Sequence, residues 1–482
     1  MIRTGEQYRE SLRDGRQVWI NGEKVKDVTT HASFKPIVDV RARIYDMAHD
    51  AKTRDVMAYV DKDSNEPCCI GYKLPHTQED WQVKRRAVDT VMDDIGGVVI
   101  RVGDETIGEM WSLYDGRDVL SEVDPQFAEN IENHIFRALR SDTFHVSANT
   151  DPKGDRSKRP QDQDPDMLLH LVKETDKGII VRGAKYETAA AYANQAFVKP
   201  TIANWGDEKL SDYALGFICD MAAPGVKHIC RTGFAGRAPA RDYPLANRFD
   251  EVDTLVIFDD VLVPWERVFL LGDINLINGT GLTTGSSMHT AHQGAAKNLA
   301  KCEFVLGVAL HMTQTLGNAH LPHSEERLGE LMMYTELMRA CMRAAEADAE
   351  LDRWGVMRPS ALPVEITRNL FTTAYPRMAE ILQLLGSSSF MITPTEADFR
   401  TPLAPDIDQY LATEGANARE RVKLFRLAWD IAGSAFGSRQ VLYERFFASD
   451  PLTRARFLGA IYPKAEIMKR VTNFLERDDE AT

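Results

Sequence analysis

The order of hydrophobic patterns along this chain is the feature that most constrains its fold. From Gly5 to about Ser141, apolar residues recur near helical spacing, as in the segment 34–45. From about residue 142 to 271 the pattern changes to short alternating runs separated by glycine, proline and aspartate, which is typical of strands. After a Gly/Ser/Thr-rich segment at 278–287, helical spacing resumes, with an interruption near 394–405. The sequence therefore predicts helices, then strands, then helices.

This order favours an α+β protein of three domains. We expect a helical N-terminal domain with one short hairpin at residues 1–141, a central antiparallel β-barrel at 142–275 and a C-terminal helical bundle at 276–482. The hairpin is indicated by Asn21 and Gly22 between two β-prone runs. Few folds have this order, and the best-known one is the acyl-CoA dehydrogenase-like architecture, in which a flavin lies between the barrel and the bundle. The fold alone does not decide the chemistry.

Composition excludes several classes of function. The net charge of −14 argues against nucleic-acid binding, because phosphate groups require a positive surface. No window approaches 18 uninterrupted apolar residues and the N-terminus has no apolar targeting region, so neither a membrane span nor secretion is expected. The six cysteines show no metal-binding or disulfide spacing and are typical of reduced thiols in a cytoplasmic protein.

Four sets of segments, in order along the chain, resemble the 4-hydroxyphenylacetate 3-monooxygenase oxygenase family, whose members include two-component phenol and chlorophenol hydroxylases. The matching segments are 5–16 with 21–31, 173–185, 243–251 with 260–266, and 421–440. Each segment is a weak signal alone, but together they extend from residue 5 to about residue 463. The chain is therefore identified as a member of this family.

The resemblance implies an FADH2-dependent aromatic monooxygenase. Family members take reduced FAD from a separate NAD(P)H-dependent flavin reductase, form a flavin C4a-hydroperoxide with molecular oxygen, and insert one oxygen atom ortho to a phenol hydroxyl. They use no metal and are usually homotetramers or homodimers. The sequence agrees with this division of labour, because no G-x-G-x-x-G motif follows a strand and precedes a helix.

Two residues are the candidate catalytic groups. His145 lies where helices give way to strands, and the resemblance implies that it contacts both the flavin and the substrate. Its imidazole suits either a hydrogen bond to the phenol or a role as base, while an interdomain structural histidine is the alternative. Arg101 is a cation flanked by apolar residues, which is costly to bury unless an anion such as a phenolate meets it. A salt-bridged arginine at a helix end is its structural alternative.

The expected substrate side consists of Arg101, Asp104, Glu105, His145 and Thr201. Relatives carry Arg-x-Pro-x-Tyr at the first of these positions, whereas this chain has Arg101, Gly103 and Glu105. Glu105 either pairs with Arg101 or faces a substrate that carries a cationic or hydrogen-bond-donating group. Relatives also place a pair of hydroxyls on a barrel loop where this chain keeps only Thr201.

The resemblance also implies a set of flavin contacts. They lie in the strand after the catalytic histidine, in the loop that follows it, at a barrel strand and at a turn rich in small residues in the bundle. The expected cofactor-binding residues are His145, Val146, Ser147, Lys153, Gly154, Asp155, Arg156, Thr188, Gly433, Ser434, Phe436 and Gly437. Ordinary roles in a solvated loop, a strand or helix packing are the alternatives.

Other functions remain open from the sequence. A chlorophenol monooxygenase of the same family, which ejects halide, is the main alternative. A 4-hydroxybutyryl-CoA dehydratase-like enzyme is less favoured, because the cysteines for its iron–sulfur cluster are missing around Arg101. A non-catalytic flavin-binding scaffold is also possible. His289 and His292 share one helical face, and packing is favoured over metal binding there because no third ligand is evident.

Overall fold

The computed structural model describes residues 2–95, 105–155, 157–200, 208–236, 239–277 and 288–479. Its elements follow the predicted order of helices, strands and helices. The described residues of the N-terminal part form seven α-helices, namely α1 Gly5–Ser11, α2 Lys35–Met47, α3 Arg54–Met57, α4 Gln78–Ile95, α5 Glu105–Asp115, α6 Arg117–Val123 and α7 Pro125–Ser141. Four short strands interrupt them, namely β1 Gln17–Ile20, β2 Glu23–Val25, β3 Ala58–Val60 and β4 Pro67–Cys69.

The middle of the chain contributes most of two sheets. Its strands are β5 His145–Ala148, β6 His170–Thr175, β7 Gly178–Glu187, β8 Gln195–Val198, β9 Leu215–Asp220, β10 Val226–Cys230, β11 Thr254–Pro264 and β12 Val268–Leu271, with the short helix α8 Ala246–Phe249 between β10 and β11. One sheet has six strands in the order β2-β1-β10-β11-β7-β6, and the other has four in the order β12-β9-β8-β5.

This arrangement corrects two details of the predicted β-domain. The hairpin β1–β2 belongs to the six-stranded sheet, because β1 pairs with β10. That pairing is parallel, as is the pairing of β5 with β8, so the domain is not purely antiparallel. The described strands of this domain form two sheets, and closure into a barrel is not confirmed. The domain boundaries at 141/142 and 275/276 stay a prediction.

Helix α7 illustrates how the sequence specifies an element beside these sheets. Asp124 caps its first turn by accepting a hydrogen bond from the amide of Gln126 at 2.9 Å, and Pro125 fits the first helical position. Its buried stripe runs through Phe127, Ile131, His134 and Ala138 at helical spacing. The buried face of α7 thus contains two polar residues among apolar ones, namely Asn130 and His134.

The C-terminal part is a helical bundle with one small hairpin. Its helices are α9 Met288–Thr315, α10 Pro322–Ala347, α11 Ala361–Met391, α12 Ala404–Leu411, α13 Ala418–Ala432, α14 Ala435–Phe446, α15 Pro451–Ile461 and α16 Lys464–Asp479, and its strands are β13 Glu350–Leu351 and β14 Met357–Arg358. The prediction of a helical C-terminal domain is confirmed. Among the helices described, none is long and apolar enough to cross a membrane.

The core of the bundle contains a buried cluster of charges. Lys297 Nζ donates to Glu444 Oε2 at 2.6 Å, and Lys301 Nζ donates to the other carboxylate oxygen, Oε1. All three side chains are at most 1% exposed, and the Lys297 ammonium also lies 4.7 Å from the centre of the Phe447 ring. Burial lowers the pKa of Lys301 to about 8, although Glu444 opposes that shift. Burial alone would raise the pKa of Glu444, but the two lysines hold this pKa below its usual value.

Candidate functional site

His145 occupies a tightly fixed position at the start of β5. The preceding connector is held by Tyr45, whose hydroxyl donates to the carbonyl of Asp142 at 3.0 Å. The amide of Phe144 donates to Asn194 Oδ1 at 3.2 Å, and its carbonyl accepts from the amides of residues 194 and 195. The His145 side chain is fully buried. The connector therefore fixes the backbone from which this imidazole projects.

A second histidine contacts His145, and sequence reasoning missed it. Nε2 of His134 lies 3.2 Å from Nε2 of His145, and the two rings are nearly perpendicular. His134 also packs against the ring of Phe269, at a centroid distance of 5.8 Å. Burial, followed by the neighbouring His145 and then by Arg137 and Arg267, lowers the pKa of His134 to about 2. Its position in the apolar stripe of α7 is the sequence signal that could have identified it.

Ser147 lies on the same face of β5 as His145, two residues further along the strand. Its hydroxyl donates to Glu109 Oε2 at 2.8 Å, and the other carboxylate oxygen of Glu109 lies 3.0 Å from Lys199 Nζ. This carboxylate therefore links α5, β5 and the end of β8. The sequence did not predict a role for Glu109 or Lys199. In the sequence, each resembles an ordinary charged surface residue.

The predicted flavin loop and Thr188 lie close to β5. The amide of Tyr186 donates to the carbonyl of Thr150 at 2.7 Å, so the chain after β5 runs beside the end of β7. Lys185 Nζ donates to Asp151 Oδ1 within this crossing. Thr188 follows β7 directly. The structure thus brings three predicted segments together, namely 145–148, the loop at 151–155 and Thr188.

Gly154 is required by its position within that loop. Its φ of +53° lies in the left-handed region, and a Cβ atom there would lie 2.0 Å from Gln163 Oε1. The Asp155 amide donates to the same oxygen at 2.9 Å, which holds the turn. Lys153 is exposed next to it. A cation beside a fixed glycine turn suits a phosphate group.

The predicted cofactor-binding segment 433–437 makes hydrogen bonds and packing contacts within the protein itself. Ser434 caps α14, since its Oγ accepts from the Gly437 amide at 3.0 Å and donates to Asp430 Oδ1 at 2.8 Å. A Cβ on Gly437 would lie 2.4 Å from the Ile431 carbonyl oxygen, so helix packing alone requires glycine there. Asp430 Oδ2 accepts from the amides of Leu245 and Ala246. These contacts join the segment to the bundle and to the start of α8.

Several predicted residues cannot be placed. Arg101, Asp104, Arg156 and Thr201 lie outside the described residues. Glu105 is the first residue of α5, one turn before Glu109. The structure does not describe its side chain. Val146 and Phe436 are buried.

The two histidines of the bundle face carboxylates. His289 Nε2 lies 3.2 Å from Asp115 Oδ2, and His292 Nε2 lies 3.1 Å from Glu346 Oε1. Burial lowers the pKa of both imidazoles despite these carboxylates. With Trp81 they line a cavity of about 40 Å³, and no group of three or more histidine, cysteine or acidic side chains placed for a metal occurs among the described residues.

The donor set around β5 is compatible with a flavin. Hydroxyl groups are present at Ser147 and Thr188, a fixed glycine turn lies at 154, and a buried imidazole stands at the start of the strand. Such groups bind ring heteroatoms and phosphates and leave the oxidation chemistry to the cofactor. The residues present therefore fit the FAD that the sequence predicts.

Family models and relatives match the chain along nearly its whole length. The model described as 4-hydroxyphenylacetate 3-hydroxylase N terminal matches residues 4–270, and the corresponding C-terminal model matches 278–476. The oxygenase component of 4-hydroxyphenylacetate 3-monooxygenase from Thermus thermophilus is 38% identical over 99% of this chain and 98% of its own. The oxygenase component of 4-nitrophenol 2-monooxygenase from a Rhodococcus species is 32% identical over 93% of this chain and 86% of its own.

Solved structures agree with these matches. The oxygenase component of 4-hydroxyphenylacetate 3-monooxygenase, solved with FAD and 4-hydroxyphenylacetate, superposes with a TM-score of 0.93 at 36% identity and 99% coverage of both chains. A 4-hydroxybutyryl-CoA dehydratase from N. maritimus has a TM-score of 0.86 at 21% identity, covering 98% of this chain and 95% of its own, and shares the fold. The family prediction is confirmed: this chain belongs to the 4-hydroxyphenylacetate 3-hydroxylase family.

Proposed function

We propose that this protein is the oxygenase component of a two-component, FADH2-dependent monooxygenase that hydroxylates a phenol ortho to its hydroxyl group. The observation that carries the proposal is the buried His145, held at the start of β5 where Ser147, the 151–155 loop and Thr188 converge. Relatives across the full length are oxygenase components named for 4-hydroxyphenylacetate and 4-nitrophenol, which are both phenols.

The cofactor and the protein have separate tasks in this proposal. Reduced FAD, when bound, supplies the activation of molecular oxygen. His145 contacts the phenol and accepts its proton, which makes the ring carbon ortho to the oxygen more nucleophilic. The surrounding buried side chains exclude water from this step. We assign substrate binding to Arg101, Asp104, Glu105 and Thr201. In this assignment, the Arg101 guanidinium pairs with the phenolate.

The remaining predicted cofactor contacts belong to the same proposal. Val146, Ser147 and Thr188 are assigned to the flavin ring side, and Lys153, Gly154, Asp155 and Arg156 to the phosphates. The segment with Gly433, Ser434, Phe436 and Gly437 is assigned to the cofactor through its backbone, since the Ser434 hydroxyl already contacts Asp430 and Gly437.

A separate partner is part of the proposal. We assign the supply of FADH2 to an NAD(P)H-dependent flavin reductase, and the term oxygenase component in the names of the relatives supports this. A homotetramer or homodimer in the cytoplasm is proposed as the working form. The six cysteines are free thiols, as is usual in that compartment.

Rapid mixing tests the proposed function. Protein loaded with chemically reduced FAD is mixed with oxygenated buffer, with and without a panel of phenols that includes chlorinated ones. The flavin spectrum, hydrogen peroxide and product mass are followed. A product that gains one oxygen atom supports hydroxylation, and replacement of halide by hydroxyl identifies the dehalogenating variant of the reaction. Immediate flavin oxidation with peroxide release for every phenol would contradict the proposal.

A further inference from the structure

Helix α5 is held from one side by α9. Its first residue, Glu105, is one of those assigned to the substrate. In the same turn, a Cβ atom added to Gly108 would lie 2.9 Å from both the backbone nitrogen and the Oγ1 atom of Thr290, near the start of α9. A side chain has no room at this approach, so the two helices pack directly against each other. Gly108 therefore fixes how closely α5 can lie to the bundle.

From another side, α5 is held by Glu109. Its two carboxylate oxygens have different partners: Oε2 accepts from the Ser147 hydroxyl at 2.8 Å, and Oε1 lies 3.0 Å from Lys199 Nζ. The Glu109 side chain is 13% exposed, so solvent screens this ion pair less than it would screen a pair on the surface. Ser147 belongs to β5, and Lys199 directly follows β8, which pairs with β5. One carboxylate thus joins α5 to two neighbouring strands.

These contacts bear on the distance between two parts of the proposed substrate site. Glu105 and Glu109 are four residues apart in α5 and therefore lie on one face of the helix. His145 and Ser147 are two residues apart in β5 and lie on one face of the strand. Because Glu109 accepts directly from Ser147, it sets how far the start of α5 lies from the start of β5.

We propose that Glu109 is a positioning residue, whose carboxylate sets the place of α5 against β5 and β8 and so aligns the phenol with His145. This inference rests on the proposed function. Glu109 itself makes and breaks no bond to the substrate. When α5 is displaced, flavin should still bind and react with oxygen, but a misplaced phenol is hydroxylated less often and more oxygen leaves as hydrogen peroxide.

Two variants remove the ion pair from opposite ends. Glu109→Gln keeps an oxygen that can accept from Ser147 but loses the negative charge, and Lys199→Met replaces the cation with an apolar side chain. Each should lower kcat/KM for coupled hydroxylation by about 10-fold and raise the share of hydrogen peroxide, while affinity for reduced FAD stays at the parent value. The double variant should be no worse than the more affected single variant, because both changes remove the same contact. Losses that multiply in the double variant would overturn the proposal.

A third variant displaces α5 without removing a charge or a hydrogen bond. Gly108→Ala places a methyl group against α9, so α5 must shift, and the same combination of lower coupling and unchanged FAD affinity is expected. Gly329→Ala in α10 is the matched control, because no described atom outside its own helix lies within 4 Å of a Cβ there, and it should behave like the parent. Unchanged coupling in Gly108→Ala, or a loss of FAD affinity as large as the loss of coupling, would overturn the positioning role.

Hydrogen exchange separates this inference from the proposed function, because it is measured on the protein without flavin or substrate. The amides of α5 should exchange faster in Glu109→Gln and Lys199→Met than in the parent, while those of α10 should not change. If the parent hydroxylates neither 4-hydroxyphenylacetate nor 4-nitrophenol nor any other phenol of the panel, the proposed function fails, and the exchange rates still decide whether Glu109 holds α5. Exchange at the parent rate in both variants would overturn the proposal. Lys199 is 28% exposed, so Lys199→Met provides the test even if Glu109→Gln does not fold.

Discussion

Two buried polar clusters in this protein differ in how their charges are balanced. In the bundle, Lys297, Lys301 and Glu444 are charged groups. Each lysine contacts a different oxygen of the Glu444 carboxylate. Beside β5, the Nε2 atoms of His134 and His145 contact each other, and burial keeps His134 neutral. The contacts between opposite charges in the bundle serve stability, whereas the contact beside β5 involves the candidate catalytic residue His145. The following experiments test that distinction.

The largest effect is expected from Glu444→Gln, which removes the carboxylate that contacts two buried ammonium groups. The free energy of unfolding should fall by about 3 kcal/mol or more, measured by denaturant titration. The exposed Glu380, which pairs with Arg377, provides the control, and Glu380→Gln should change stability by about 0.5 kcal/mol or less. Adding Lys301→Met to Glu444→Gln should restore part of the loss. No recovery would contradict charge imbalance as the cause.

His145→Ala should act on chemistry instead of charge balance. We expect coupled hydroxylation to fall by about 100-fold, which is in the usual range for loss of a general base, and the share of hydrogen peroxide to rise. Product and peroxide are measured together under the same reduced-flavin conditions. Equal coupling in variant and parent would exclude the proposed role. Glu444→Gln, assayed below its unfolding temperature, should keep the coupling of the parent.

Stability should fall in acid because buried histidines are kept neutral. Burial lowers the pKa of His228 to about 4, and its Nε2 donates to the Met221 carbonyl at 2.8 Å. The unfolded chain binds a proton at this residue below about pH 6.5, while the folded chain does not until about pH 4. From pH 7 to pH 5 this costs about 2 kcal/mol of unfolding free energy. His228→Gln keeps a hydrogen-bond donor for the Met221 carbonyl but cannot be protonated. Between pH 7 and pH 5, its free energy of unfolding should therefore fall by about 2 kcal/mol less than that of the parent. Parallel curves of unfolding free energy against pH for the two proteins would refute the assignment.

The smallest effect concerns the 433–437 segment. Ser434→Ala removes the cap of α14 and should lower the free energy of unfolding by about 1 kcal/mol, measured by denaturant titration. Because the hydroxyl is already bonded within the protein, affinity for reduced FAD should change little. Ser434→Thr, which keeps a hydroxyl, is the control. A large loss of FAD affinity in Ser434→Ala alone would show that this hydroxyl contacts the cofactor.

The sequence predicted the order of elements and the position of His145, because both depend on local patterns and on segments that resemble the family. It did not predict the pairing of β1 with β10, since hydrogen bonds between distant strands leave no local periodicity. His134 was missed because a histidine on the mostly apolar buried face of a helix is usually a structural residue. The role of Gly437 in packing α14 depends on the Ile431 carbonyl, a contact that only the folded chain reveals.

The pairing of β1 with β10 also has a consequence for how the protein is made. Gln17 pairs with Lys227, so β1 can pair with β10 only after about 210 further residues have been synthesised. At the usual speed of synthesis, about 5–20 residues per second, this interval lasts on the order of 10–40 s. During that time β1 has an unpaired edge, which is the kind of surface that chaperones protect. The nascent chain therefore completes its larger sheet only after about half of its residues have been made, when the earliest strand of that sheet is added next to β10.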